Sequence, residues 1–234
     1  MNRRQFSRLS AAYTAAVWCA FPTSSQAVTL SDVSNTQATQ GVKAALEKGV
    51  RFAVDALGRS NGFLGNDKVR IPLPGYLKDA AGLLRRLGQG ARLDELELAM
   101  NHAAEAAVPM ARDVLVGVVK SMGVQDAKNI LAGGETSVTQ FFADKTRAQL
   151  NDKFLPIVKK TTQQVKLADK YNRVASQAAN IGLLQGNDVS LERYVTGKAL
   201  DGLYFMIGEE EKKIRQDPAG TGSALLQRVF GALK

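Results

Sequence analysis

The stretch GVKAALEKGVRFAVDALGR, residues 41–59, decides the fold class because its apolar residues recur at intervals of three and four. This spacing places them on one face of an amphipathic helix. The turn Ser60-Asn61-Gly62 then ends the helix, because asparagine and glycine tolerate a positive φ. The apolar positions are Val42, Ala45, Leu46, Val50, Ala53, Val54 and Leu57.

The same periodicity runs through most of the remaining chain. It predicts an all-α protein, a single irregular bundle of about six to eight helices, because no repeat and no linker divides residues 41–234. Asp94 and Glu97 resemble a capping box that opens one helix, and Thr136 is a plausible cap for another. The helices that follow residue 59 are predicted at 76–87 (with Leu77, Leu84 and Leu87 on its apolar face), 94–118, 125–131, 136–181, 191–216 and 223–233.

Prolines modify this helical pattern. Pro109 and Pro156 lie inside two of the longer predicted helices, and each is expected to kink its helix because proline removes a backbone donor. One short extended segment is predicted near residues 66–74, where apolar and polar residues alternate from Val69 to Leu73. Its two prolines exclude a central strand, so an edge ribbon or an extended connector is expected.

The first 27 residues have the features of a cleaved secretory signal peptide, with a basic start, a short apolar run and a small-residue end. The order Arg3-Arg4-Gln5-Phe6 adds the pattern of a twin-arginine export signal. Cleavage near Ala27-Val28 would give a periplasmic or otherwise exported protein whose residues 28–40 are loosely ordered. The one cysteine, Cys19, would leave with the signal, which excludes disulfides and thiolate chemistry.

Positive charge is concentrated in one part of the chain. The net charge is +9, and it falls to +6 when the three arginines of residues 1–27 are removed. Residues 145–173 carry eight basic and two acidic side chains. The net charge of this segment is therefore +6, which equals the charge that remains. Four of the basic side chains share one helical face, a pattern that attracts anionic surfaces, although a solvated helix face explains it better. They are Lys159, Lys166, Lys170 and Arg173.

Five motifs occur in a recognisable order, and together they carry a resemblance to a known family. The motifs are GFLGNDKVRIPLPGYL (62–77), MNHAAEAAVPMA (100–111), DAKNILAGG (126–134), TQFFADKTRAQL (139–150) and ALDGLYFMIGEEEKKIRQDPAGTGSALLQRVFG (199–231). The chain resembles the bacterial family that is numbered 4197 among the domains of unknown function. The resemblance implies an exported helical protein and supplies no activity, substrate or cofactor. His102 is a departure, because similar proteins are expected to carry arginine there.

Few residues are candidates for a functional site. Glu105 and Asp201 are candidate ligand contacts because each is flanked by apolar residues in a predicted helix. Further candidate ligand contacts are Arg70, in the extended segment near residues 66–74, and Asn101. The sole histidine, His102, lies three residues before Glu105, but one histidine in this order does not form a di-iron motif, and no nucleophile elbow is present. No catalytic residue is assigned, and no metal or cofactor is expected.

Three functions are compatible with this sequence. The leading hypothesis is a non-enzymatic periplasmic module that binds an anionic envelope component or an envelope protein. The first alternative is a carrier of a small apolar ligand held between the helices that Pro109 and Pro156 kink. The second alternative is an envelope hydrolase that uses two facing carboxylates. Export argues against a nucleic-acid partner, and no later apolar run is long enough to span a membrane.

Overall fold

The structure is a computed structural model that describes residues 34–134, 136–163, 168–169, 171–172 and 190–231. These residues form helices, turns and one longer connector, and none of them lies in a strand. The predicted all-α bundle is therefore confirmed. The helices are α1 (Asn35–Leu57), α2 (Gly75–Arg86), α3 (Gly90–Ala107), α4 (Ala111–Ser121), α5 (Val124–Ala132), α6 (Ser137–Thr162), α7 (Leu191–Gln216) and α8 (Ala224–Gly231).

Helix α1 buries all seven apolar positions of the stretch at 41–59. It begins at Asn35, earlier than predicted, because the side chains of Ser34 and Gln37 cap its first turn reciprocally. Residues 35–40, which the sequence places in a loosely ordered segment, are therefore helical. After the helix, Asn61 adopts a φ of 59°, in agreement with the predicted turn.

The centre of the bundle is the antiparallel pair α6 and α7. Helix α6 buries every fourth residue from Val138 to Thr162. Because an α-helix has 3.6 residues per turn, this spacing rotates the buried line by about 40° at each step. The line therefore winds around α6, which contacts α3, α4 and α5 as well as α7. Helix α1 packs on α7 and also contacts α4, α5 and α8.

The predicted helix at 94–118 is in fact two helices. Pro109 lies in a 3-10 turn, Val108–Met110, that separates α3 from α4. This break changes which residues face the core, because 3-10 and α turns rotate the chain by different angles. An uninterrupted helix through Pro109 would place Met110 on the apolar face, yet 53% of it is exposed. The residues of α4 that are buried are Ala111, Leu115 and Val119.

The proposed capping box of Asp94 and Glu97 is wrong. Helix α3 begins at Gly90, so both carboxylates lie inside it. Each pairs with an arginine of a preceding segment, Asp94 with Arg85 at 2.7 Å and Glu97 with Arg70 at 2.8 Å. These contacts join α3 to the chain before it and do not start the helix.

Pro156 lies inside α6 without ending it. Since proline has no N–H, the carbonyl of Asp152 has no helical donor at this position. The structure describes the predicted helix at 136–181 as far as Thr162, and most of its remaining residues lie outside the described ranges.

The predicted extended segment is present, as a connector between α1 and α2. Residues 70–74 have no regular secondary structure, and Val69, Ile71 and Leu73 are buried. The connector packs on α7 at Gly202, where an added Cβ would lie 2.9 Å from the ring of Phe63. A glycine is therefore needed at this helical position for the connector to approach closely.

Candidate functional site

Asn101 holds the connector onto α3. Its side-chain oxygen accepts a hydrogen bond from the N–H of Ile71 at 2.9 Å, and its amide nitrogen donates to the carbonyl of the same residue at 2.9 Å. The amide nitrogen also donates to the carbonyl of Glu97 at 2.8 Å. The Asn101 side chain is fully buried. Its two hydrogen bonds to Ile71 pair with the backbone of the connector as a neighbouring strand would.

Glu105 is 5% exposed and closes the turn after α1. One carboxylate oxygen accepts hydrogen bonds from the N–H groups of Phe63 at 3.0 Å and Leu64 at 3.3 Å. The other accepts from the N–H of Asn61 at 3.2 Å. His102 lies beside this group, with its Nε2 atom 3.9 Å from Glu105. The carboxylate is thus surrounded by donors of its own chain, an arrangement that serves the fold.

Arg70 and Asp201 are both engaged in surface ion pairs. Arg70 contacts Glu97, and Asp201 contacts Arg147 at 2.6 Å with 55% of its side chain exposed. The Arg147 guanidinium also lies 5.3 Å from the centre of the Tyr204 ring. The four predicted ligand contacts are therefore not brought into one site. They lie in two places, around the connector and on the α6–α7 surface.

The acidic cluster at the end of α7 also has partners. Glu209 accepts a hydrogen bond from Lys68 at 2.6 Å, which lowers the pKa of its carboxyl. Glu211 is buried, and this burial raises the pKa of its carboxyl although Arg215 acts in the opposite direction. Arg215 donates in addition to the carbonyl of Ile130 at the end of α5. The described residues bring together no group of three or more potential metal ligands.

The predicted basic face is described only in part. Lys159 is exposed near the end of α6. Lys166, Lys170 and Arg173 lie outside the described residues, so the common face of the four side chains stays a prediction. In the part of the chain that is described, no helix is both long and apolar enough to cross a membrane.

A surface that the sequence analysis did not identify lies where α2 turns into α3. Leu83 and Leu87 are 62% and 64% exposed, one helical turn apart on α2. The prediction that Leu87 belongs to the buried face is wrong. Gly88, with a φ of 73°, makes the turn to α3. Three exposed arginines lie close to the two leucines in the sequence, and we call the five residues the leucine tip: Leu83, Arg85, Arg86, Leu87 and Arg92.

The arginines of the leucine tip differ in their contacts. Arg85 pairs with Asp94, and Arg92 donates to the side-chain oxygen of Gln89 at 2.9 Å. Arg86 forms no hydrogen bond or ion pair with any residue that the structure describes, and it shares the face of Leu83 and Leu87. Exposed apolar side chains beside cationic ones can contact both the acyl region and the headgroups of an anionic membrane.

Two depressions flank α6. The first, between α6 and α7, has a volume of about 260 Å³ and includes both a carboxylate and a guanidinium. The second is an open groove of about 630 Å³ on the side of α3, and we call it the proline groove. Its described lining residues are Ala106, Pro156, Ile157, Lys160 and Thr161.

Comparison with known proteins gives one match. The family model described as "Protein of unknown function (DUF4197)" matches residues 32–231, which includes every helix described above. No curated protein and no solved structure matches the chain. The functional inference therefore depends on the geometry of this molecule.

Proposed function

The chain belongs to the DUF4197 family, and we propose that it is an exported, non-enzymatic protein that binds the anionic surface of the cell envelope through the leucine tip. The observation that carries this proposal is the exposure of Leu83 and Leu87 at a helical turn that also presents three arginines. Apolar side chains enter the interface between headgroups and acyl chains, while arginines contact phosphates.

The position of the tip suits a peripheral contact. Among the described elements, α2 packs chiefly on α3, so its far end is free to approach a flat surface. Each arginine near an anionic membrane contributes about 1 kcal/mol, and each leucine that leaves water contributes about 1.5 to 3 kcal/mol at full burial. Two leucines and the arginines together are enough for reversible membrane binding.

Export would place the protein beside such a surface. The residues at 1–27 have the pattern of a twin-arginine-like signal, and cleavage near Ala27-Val28 would release a periplasmic protein. The basic face that includes Lys159 would supply a second cationic contact. Neither feature depends on the leucine tip, so each can be tested separately.

Vesicle co-sedimentation of the exported protein tests the proposal. We expect binding to vesicles that contain phosphatidylglycerol, weak binding to pure phosphatidylcholine and a loss of binding at high salt. Replacing Leu83 and Leu87 by serine should abolish the binding. Replacing Arg86 and Arg92 by glutamine should weaken it about 30-fold, since the two charges contribute about 2 kcal/mol together.

A matched control separates the tip from net charge. The exposed residues Lys128 and Lys145, on α5 and α6, are replaced by glutamine to give the same charge change elsewhere. This variant should bind almost as well as the wild type. If the control loses as much binding as the tip variant, or if the serine variant still binds, the leucine tip is not the contact surface.

The proline groove supports a second candidate, a carrier of a small apolar ligand. It lies beside Ala106 and Pro156, where α3 and α6 are in contact. Native mass spectrometry should then show extra mass on the wild type that Ala106→Trp removes and that Ala132→Trp, on exposed α5 surface, retains. A clean wild-type mass would contradict a tightly held ligand. The hydrolase alternative has less support, because Glu105 and Asp201 are occupied by contacts within the chain.

A further inference from the structure

The depression between α6 and α7 has features of a binding site for a charged small molecule, and we call it the α6–α7 pocket. Asn151, Asp152 and Leu155 line it from α6, and Arg193 and Thr196 line it from α7. The two helices run antiparallel here. The same pairing that joins Arg147 to Asp201 places Asp152 opposite Thr196, with Arg193 one turn further along.

Thr196 is the first sign that this pocket is more than a surface irregularity. The residue is 2% exposed, and its hydroxyl forms no hydrogen bond with any described residue. A threonine in a helix usually satisfies its hydroxyl through the carbonyl four residues before it, as Thr146 and Thr162 do on α6. A buried hydroxyl without a partner destabilises the free protein, so its presence in a pocket wall points to a partner from outside the chain.

The second sign is the charge of Asp152, which lies on the opposite wall of the pocket. The Asp152 carboxylate can only accept hydrogen bonds, so it favours a positively charged donor, such as an ammonium group.

The third sign is the charge on the other wall. Arg193 lies in the first turn of α7, whose N-terminal end carries the positive part of the helix dipole. Its guanidinium can bind a carboxylate through two parallel hydrogen bonds. Arg193 and Asp152 form no ion pair with each other, nor with any other residue in the described ranges, so both charges are free for a ligand.

We propose that the α6–α7 pocket binds a small zwitterion, an amino acid or a dipeptide. Arg193 and the hydroxyl of Thr196 bind its carboxylate, Asp152 binds its ammonium group, and Leu155 contacts its apolar part. The volume of about 260 Å³ agrees with a ligand of this size, because pockets for drug-sized molecules are usually larger, roughly 300 to 1,000 Å³. The inference is independent of membrane binding at the leucine tip.

Isothermal titration of the exported protein tests this inference. The probes are L-alanine, L-leucine, L-glutamine and alanyl-alanine, with acetate and methylammonium as molecules that carry only one of the two charges. We expect at least one zwitterion to bind, and both single-charge molecules to bind more than about tenfold more weakly. Failure of all four zwitterions to bind would overturn the inference.

Substitutions locate the binding. Arg193→Gln and Asp152→Asn should each weaken the zwitterion by more than about tenfold, because each removes a charged hydrogen-bond partner. Both residues are exposed, so folding should be unaffected, and circular dichroism checks this. Lys153→Gln changes the charge beside the pocket without altering its lining and should bind normally. If all three variants bind equally well, the site lies elsewhere.

The Thr196→Val variant separates a binding role from a structural one. It should weaken the zwitterion while leaving the thermal unfolding temperature unchanged or higher. A lower unfolding temperature would mean that the hydroxyl supports the fold and would contradict the proposed role. Vesicle binding of all these variants should equal that of the wild type, which keeps this test distinct from that of the leucine tip.

Discussion

Replacing Glu105 by alanine should lower the free energy of unfolding more than most other substitutions on α3. The substitution leaves three backbone N–H groups without an acceptor, those of Asn61, Phe63 and Leu64. The N–H of Phe63 is bonded in a buried position, whereas the other two bonds are partly buried. An unsatisfied buried group costs about 1 to 3 kcal/mol, and a group that water can reach costs less.

The expected loss is therefore about 3 kcal/mol in the free energy of unfolding. Urea denaturation followed by circular dichroism measures it. With a slope of about 2 kcal/mol per molar, the midpoint should fall by about 1.5 M. The urea midpoint of Glu105→Gln should lie between those of Glu105→Ala and the wild type. The amide oxygen of glutamine can still accept a hydrogen bond, whereas its nitrogen is a donor that faces one of the N–H groups.

Glu95→Ala supplies the matched control. It changes the same residue type on the same helix at an exposed position, and a change within about 0.5 kcal/mol is expected. If Glu105→Ala is as stable as Glu95→Ala, the carboxylate does not hold the turn after α1. It would then again be a candidate for an external ligand.

Three further changes have definite expected outcomes. Thr196→Val should raise the free energy of unfolding by about 1 kcal/mol in urea titrations, because it removes a buried hydroxyl without a partner; a loss of stability would contradict this. Gly202→Ala should lower the same quantity by about 1 to 3 kcal/mol, since the added Cβ would lie 2.9 Å from Phe63, whereas Gly117→Ala, in open space, should be neutral or stabilising. Burial raises the folded-state pKa of Glu211 above its ordinary value of 4.5, so its contribution to stability is fully present below that pH and is lost as the pH rises through the folded pKa. Urea titrations across this pH range should show that loss of stability in the wild type and not in Glu211→Gln. Identical pH profiles of the two proteins would mean that Glu211 does not cause the loss.

The sequence predicts α1 and α7 well because each has a continuous apolar face. The predicted bounds of α7, residues 191–216, agree with the structure, and Ser190 caps its first turn. The start of α3 could not be predicted in this way. No side chain caps it, and the nearby pair Asp94 and Glu97 imitates a cap while forming ion pairs with arginines outside the helix.

The apolar pattern fails where a proline changes the register. Periodicity continued through Pro109 assigns Met110 to the core. Because of the 3-10 turn, Met110 is exposed and Ala111 is buried instead. It also assigns Leu87 to the core, although none of the described helices covers the end of α2. A pattern of apolar residues gives the face of a helix, and it does not show whether a neighbouring helix covers that face.

The candidate sites were only partly visible in the sequence. Glu105 and Asn101 were identified as unusual polar residues on α3, but their partners are backbone groups of a connector at least 30 positions away. The α6–α7 pocket combines residues that are about 40 positions apart in the sequence. The residues next to Thr196 in the sequence form no motif that would indicate a binding site.

Tryptophan fluorescence tests membrane contact at the leucine tip most directly. The chain has a single tryptophan, Trp18, which the expected cleavage near Ala27-Val28 removes, so the exported protein reports only on a tryptophan introduced at Leu87. Met110→Trp is the control, because it is also exposed and lies beyond the far end of α3, a helix about 27 Å long. On addition of phosphatidylglycerol vesicles, Leu87→Trp emission should shift to the blue and Met110→Trp emission should not. No shift at Leu87, or equal shifts at both positions, would contradict the proposed function.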